Sequence, residues 1–124
     1  QKVPYLIQGQ QEQPLLLAGL WDSWSPRGGA GEVASLLSFT LLTTAAHEEM
    51  QAIHHRQPIF LTVEQAKSWL DMSIPTVQLE PLFASKLPVP LNGNPVSTWV
   101  NSARNKDARC YQVIGPVLQI QATH

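Results

Sequence analysis

Apolar positions along this chain come in short runs separated by polar residues and prolines, a pattern that predicts short strands and helices. The densest run is residues 37–61, LSFTLLTTAAHEEMQAIHHRQPIFL. Within it, 38–43 is short and rich in apolar and β-branched residues, which predicts a buried strand. Over 45–53 the period lengthens: Ala45, Met50 and Ile53 fall on or near one helical face, while Glu48, Glu49 and Gln51 face water. Thr44 stands where it can cap that helix, and the glutamates lie in its first turns, where the helix dipole favours them. Gln57-Pro58 cannot continue the helix, because a proline ring drives the preceding residue towards an extended conformation. A second strand then runs to Leu61.

The flanking segments follow the same grain. Residues 3–8 (VPYLIQ) predict a strand, and 8–13 a polar turn. The run 15–24 (LLLAGLWDSW) is continuously apolar at first, which suits a strand buried on both faces with Trp21 and Trp24 on the way out. Glycine and proline make 25–34 a surface loop. Thr62 followed by Gln65 has capping-box spacing and opens a second helix, with Ala66, Trp69 and Leu70 on its buried side. Residues 77–84 predict a third short helix, 87–95 a turn-rich connector, and 96–100 a strand or extended segment. A last strand is expected at 110–114, and 117–124 reads as a tail. Short strands with interspersed helices make the class α+β, with a mixed, mainly antiparallel sheet.

Length and charge narrow the picture. At 124 residues the chain makes at most one modest domain, and its ten prolines favour short elements joined by fixed turns. A net charge of −1 supplies no overall positive field to draw it to nucleic acid, so any such contact must rest on a local patch. The segment 104–109 is the local basic cluster, either a solvated loop or a DNA-facing edge. A single cysteine, Cys110, excludes an internal disulfide framework and suits a reducing compartment. The longest apolar run, 15–20, is the size of a strand and not of a membrane span. The chain opens on Gln1 rather than methionine, so its true beginning is expected upstream.

The chemistry concentrates at Ile53-His54-His55-Arg56. His54 suits either a capping or core role, or proton transfer by an imidazole that titrates near neutrality. Arg56 can bind the carbonyls at a helix C-terminus or hold a phosphate. Thr43 reads as a plain β-branched strand residue, and His55 reads as solvated. Trp21 and Trp24 can stack bases but read first as core, as do Trp69 and Trp99. A metal site is not expected: the zincin pattern needs a histidine four residues after His47, and Gln51 stands there. His47 and His54 lie two helical turns apart, roughly 10 Å, too far for one ion. Gly28-Gly29 lacks the lysine of a phosphate-binding loop, and no Ser-His-Asp pattern is present.

Several blocks in order carry a resemblance. They are PLLLAGLWDSW at 14–24, SFTLLTTAA at 38–46, AIHHRQPIFL at 52–61, WLD at 69–71 and VSTWVNSARN at 96–105. On these the chain resembles the C-terminal part of the SOS-response-associated peptidase (SRAP) domain, over 1–124. Gln57 departs from the methionine more usual after the arginine, a difference expected to matter for packing more than for chemistry. The resemblance implies a barrel-like fold and covalent capture of abasic sites in single-stranded DNA. The family's nucleophile is an N-terminal cysteine exposed by self-processing, whose amine and thiol close a thiazolidine on the sugar aldehyde. By the same resemblance, His54 acts in catalysis with upstream residues, Arg56 holds DNA phosphate, and Thr43 lines the site. The terminal cysteine and the upstream motifs are expected before Gln1. Cys110 cannot replace it, because an internal residue has lost its amine to a peptide bond. The resemblance further implies an intracellular monomer (in the nucleus of a eukaryote, the cytoplasm or nucleoid of a bacterium) with no metal, cofactor or membrane. The alternatives are a truncated or diverged module that binds nucleic acid or protein without chemistry and, last, a general peptidase.

Overall fold

The computed structural model describes residues 2–26 and 35–123. The loop expected at 25–34 therefore lies, from residue 27 on, outside the described residues. In chain order the strands are β1 (Tyr5–Gly9), β2 (Leu16–Leu17), β3 (Gly19–Trp24), β4 (Leu36–Leu41), β5 (Thr43–Ala45), β6 (Arg56–Pro58) and β7 (Phe60–Leu61). Helix α1 (Val63–Leu70) follows, then β8 (Leu91–Pro95) and β9 (Leu118–Ile120). Every pairing among them is antiparallel: β1-β8-β9 form one sheet, and β2-β7, β3-β4 and β5-β6 pair as ribbons. Among the described residues, four 3-10 segments fill the connections, at Glu48–Met50, Thr76–Phe83, Thr98–Asn101 and Ala108–Tyr111. The class is α+β, as the pattern predicts.

The three ribbons meet at one junction. Ala18, Leu42 and Ile59 sit at the breaks between β2 and β3, β4 and β5, and β6 and β7. Each donates its N–H around a ring: Ala18 to Ile59 at 2.9 Å, Ile59 to Leu42 at 3.1 Å, and Leu42 to Ala18 at 3.0 Å. A break in each strand lets the chain change partner while no buried N–H is left unpaired. Ala18, Ile59 and Leu61 are buried here, with Leu42, Ala66, Trp69 and Leu82 packed against them. The larger core lies between the three-stranded sheet and the 46–60 segment. It buries Ala46, Met50, Phe60, Leu87, Leu91 and Ile120, with Ile7 and Ile53 at its edge.

Several expectations are corrected. The helix expected at 45–53 is a single 3-10 turn, Glu48–Met50, capped by His47 and not by Thr44. The reason is geometric: Ala45 pairs with Arg56 and Ala46 donates to His55, so 46–55 must return on itself within a short span. Thr44 instead lies in β5, where its hydroxyl donates to the Phe83 carbonyl at 2.9 Å. The strand expected at 38–43 is exposed along β4 rather than buried, and β3 is exposed beyond Gly19. Trp21, Trp24 and Phe39 are 75%, 59% and 79% exposed, so the core expectation for both tryptophans fails on the described residues. The connector expected at 87–95 contains β8, the central strand of the main sheet, and Leu87 and Leu91 are core residues. The strand expected at 110–114 is a 3-10 turn and a lone bridge between Val113 and Val96, while the supposed tail contributes β9. The helix expected at 77–84 is a 3-10 segment with Pro81 inside it, and Leu70 of α1 is exposed. The capping box of α1 forms as predicted, with Thr62 and Gln65 exchanging side-chain to backbone hydrogen bonds.

Candidate functional site

The site is built on the β5-β6 ribbon and the loop 46–55 that closes it. Register places Thr43 opposite Pro58, Thr44 opposite Gln57 and Ala45 opposite Arg56. From this frame the Arg56 side chain reaches back along the ribbon. Its Nη2 donates to the Thr43 carbonyl and to the Thr43 hydroxyl, each at 2.9 Å. The guanidinium is thus oriented by one strand residue, while the group as a whole stays exposed. The remaining donors of the guanidinium fork therefore keep a fixed direction.

His54 closes the loop on the other side. Its backbone N–H donates to Met50 O at 3.1 Å, and its ring Nδ1 lies 3.0 Å from the Arg56 N–H and 3.2 Å from the Arg56 carbonyl. A backbone N–H can only donate, so the network assigns Nδ1 as the acceptor and places the ring proton on Nε2 in the neutral form. Protonation of Nδ1 would exchange that bond for one to the Arg56 carbonyl, so one backbone residue can hold the ring in both charge states. Only the cation can give up its Nε2 proton, which leaves the neutral ring with Nδ1–H donating to the Arg56 carbonyl. His55 stacks on His54, with ring centroids 4.4 Å apart and planes at 22°. Both rings are exposed and line a groove with Lys2, Tyr5, Ile53 and Asn101.

Core packing fixes the loop from beneath. Ile53, the residue before His54, seats its Cδ1 over Gly93 of β8; a Cβ there would lie 3.2 Å from that methyl. Gln57, beside Arg56, is 1% exposed, and its amide ties two backbone segments together. Its Oε1 accepts from His47 N at 2.8 Å, and its Nε2 donates to Lys86 O at 3.0 Å. The expectation of a packing role for Gln57 is therefore incomplete. Its hydrogen bonds were invisible in sequence because their partners are backbone groups, one of them 29 residues away.

The structure places Thr43 and Arg56 on the β5-β6 ribbon and His54 in the loop that closes it, with Arg56 in contact with both. The basic cluster at 104–109 is separately organised. Asp107 holds Arg109 with contacts of 2.6 and 3.1 Å, and the guanidinium lies 3.9 Å from the Trp99 ring centre. Hydrogen bonds from the Arg109 side chain and backbone lower the Asp107 pKa to about 2. Arg109 is thus committed to an internal pair. Trp99 is only half-buried and serves as the platform of this cluster, with its indole N–H on Asp107. Cys110 is half-buried and points its thiol at Asn105 O.

Comparison with known proteins gives consistent matches. The family model described as SOS response associated peptidase (SRAP) matches residues 1–103. The abasic site processing protein HMCES of Gallus gallus is 38% identical over 116 residues, covering 88% of this chain and 32% of that protein. The abasic site processing protein YedK of Escherichia coli (strain K12) is 29% identical over 116 residues, covering 91% of this chain and 50% of that protein. A crystal structure of a protein from Bacteroides thetaiotaomicron shares the fold with a TM-score of 0.69 at 22% identity, covering 90% of this chain and 49% of that one. The chain thus spans about a third of the length of the first relative and half of the second.

Proposed function

The chain belongs to the SOS response associated peptidase (SRAP) family, and from that premise we propose that it is the C-terminal part of a domain that captures abasic sites in single-stranded DNA. The observation that carries this reading is that Arg56 of the β5-β6 ribbon contacts both Thr43 on that ribbon and His54 in its closing loop. The other half of the site comes from polypeptide upstream, which supplies a terminal cysteine freed by self-processing.

The chemistry follows from what an abasic sugar offers. Its ring-opened form is an aldehyde. The cysteine α-amine adds to the carbonyl carbon and water leaves, giving a Schiff base; the thiol then adds across the imine and closes a thiazolidine. No redox partner is needed, and the balance is one water released. Each step moves protons, and loss of water from the carbinolamine needs a donor. His54 serves as that donor in its imidazolium form, giving up the Nε2 proton while its Nδ1–H donates to the Arg56 carbonyl. Arg56 takes a backbone phosphate on its outward-facing donors, with Thr43 fixing the guanidinium. Because the work is done on single-stranded DNA, the reading puts the protein inside the cell, in the nucleus of a eukaryote or in the cytoplasm or nucleoid of a bacterium.

The test uses the full-length protein with its native N-terminus. It is incubated with a single-stranded oligonucleotide carrying one abasic site and resolved on a denaturing gel. A covalent band is expected, lost when the terminal cysteine is replaced by serine. Arg56→Ala should weaken binding of undamaged single strands and reduce the salt dependence of log K by about 0.7, the share of one phosphate contact. No band from a protein that carries a terminal cysteine would overturn the capture reading and leave a non-catalytic binding module.

A further inference from the structure

We propose that Gln57 is a positioning residue for His54, setting the imidazole through the loop 46–55; the inference deepens the capture reading and rests on it. Gln57 is the largest buried polar side chain among the described residues, and it spends both ends of its amide on backbone. One end holds His47, which opens the turn Glu48–Met50 and caps it through Nδ1. The carbonyl of Met50, at the end of that turn, receives the N–H groups of Ile53 and His54 at 2.9 and 3.1 Å. A short chain of bonds therefore runs from the Gln57 amide through His47 and Met50 to the backbone of His54.

The main chain of Gln57 works from the opposite side. It follows Arg56, whose N–H holds the His54 ring, and it pairs with Thr44 in the ribbon. The loop is thus clamped at its start by a side chain and at its end by the neighbouring backbone, with Ala46 N on His55 O closing the base at 2.9 Å. The other amide end reaches Lys86 O, so the loop is referred to a part of the fold outside the ribbon. A side chain of equal length without the amide would fill the space and leave the His47 N–H and Lys86 carbonyl without that partner. The loop can recover those bonds only by moving towards water, and His54 moves with it.

The experiment compares wild type, Gln57→Met and Gln57→Glu as full-length proteins. Two readouts are taken well below the melting temperature of each variant: the nitrogen-proton correlations of the His54 ring by NMR, and the single-turnover rate of crosslinking to an abasic single strand. Wild type should show the proton on Nε2 and Nδ1 in its acceptor state. Gln57→Met should broaden or split the His54 ring signals and slow crosslinking about tenfold, within the range that slight misplacement of a reacting group costs. Its affinity for undamaged DNA should be unchanged. Gln57→Glu separates positioning from filling, because a protonated acid can accept from His47 and donate to Lys86 whereas a carboxylate cannot donate. Its crosslinking rate relative to wild type should therefore be highest near pH 5 and fall towards pH 8, about the range over which a buried carboxyl titrates.

Unchanged ring signals and an unchanged rate per folded molecule in Gln57→Met would overturn the proposal, reducing Gln57 to core packing. Should Gln57→Met not fold, a Gln57→Glu rate that tracks wild type across the whole pH range would overturn it equally. If wild type itself forms no crosslink, the capture reading fails, and the His54 ring signals alone then decide whether Gln57 positions that residue.

Discussion

Asp107 carries the clearest electrostatic signature in the chain. It caps the Ala108–Tyr111 turn through the Arg109 N–H, grips the Arg109 side chain at two atoms and accepts from the Trp99 indole. These hydrogen bonds favour the charged carboxylate, and its pKa falls from 3.8 to about 2. The sign is that of a depressed acid: its contribution is complete above the unfolded value and is lost as pH falls through the folded one. An NMR titration of the Asp107 carboxyl should therefore show a midpoint near pH 2. The Trp99 indole N–H signal should shift in step, with the same midpoint. A midpoint at the ordinary aspartate value would show that the cluster does not hold in solution. The same residue scale separates Arg109 from Arg56. Both are oriented by hydrogen bonds, but Arg109 spends its charge on a neighbouring carboxylate, whereas Arg56 is oriented by uncharged groups of Thr43.

At the scale of elements, β8 shows what sequence could and could not reveal. LNGNP has two asparagines, a glycine and a proline, a composition that signals a turn. It nevertheless forms the middle strand of the main sheet, because tertiary pairing with β1 and β9 overrides local preference. Leu91 is fully buried there, so Leu91→Ala should cost about 2–5 kcal/mol in a denaturant titration, as large-to-small core changes do. A cost below about 0.5 kcal/mol would fit a surface connector and contradict the placement. What was legible had a local cause: the Thr62–Gln65 capping box and the extended backbone of Gln57 before Pro58. What was not legible depended on distant partners. The helix period over 45–53 gave way to the closure of β5 on β6, and the role of Gln57 rests on Lys86. The apolar run at 15–24 signalled burial correctly only for Ala18, which sits at the three-ribbon junction.

At the scale of the whole molecule, the two cores and the exposed ribbon give one picture. The β5-β6 ribbon is rooted in both cores, through Ala46 and Met50 on one side and Leu42 and Ile59 on the other. That rooting holds Thr43, His54 and Arg56 at a fixed spacing on an otherwise exposed surface. The β3-β4 ribbon hangs from the same junction and presents Leu20, Trp21, Leu37 and Phe39 without cover among the described residues. The most direct measurement takes the full-length protein, saturated over a single strand with one abasic site, and follows the first turnover to covalent product. Wild type and His54→Ala are compared at pH 7. If His54 moves the proton, His54→Ala should be slower by about 10²-fold or more with unchanged affinity for the undamaged strand. An unchanged first-turnover rate would contradict the account, because the chemistry would then lie wholly outside this ribbon.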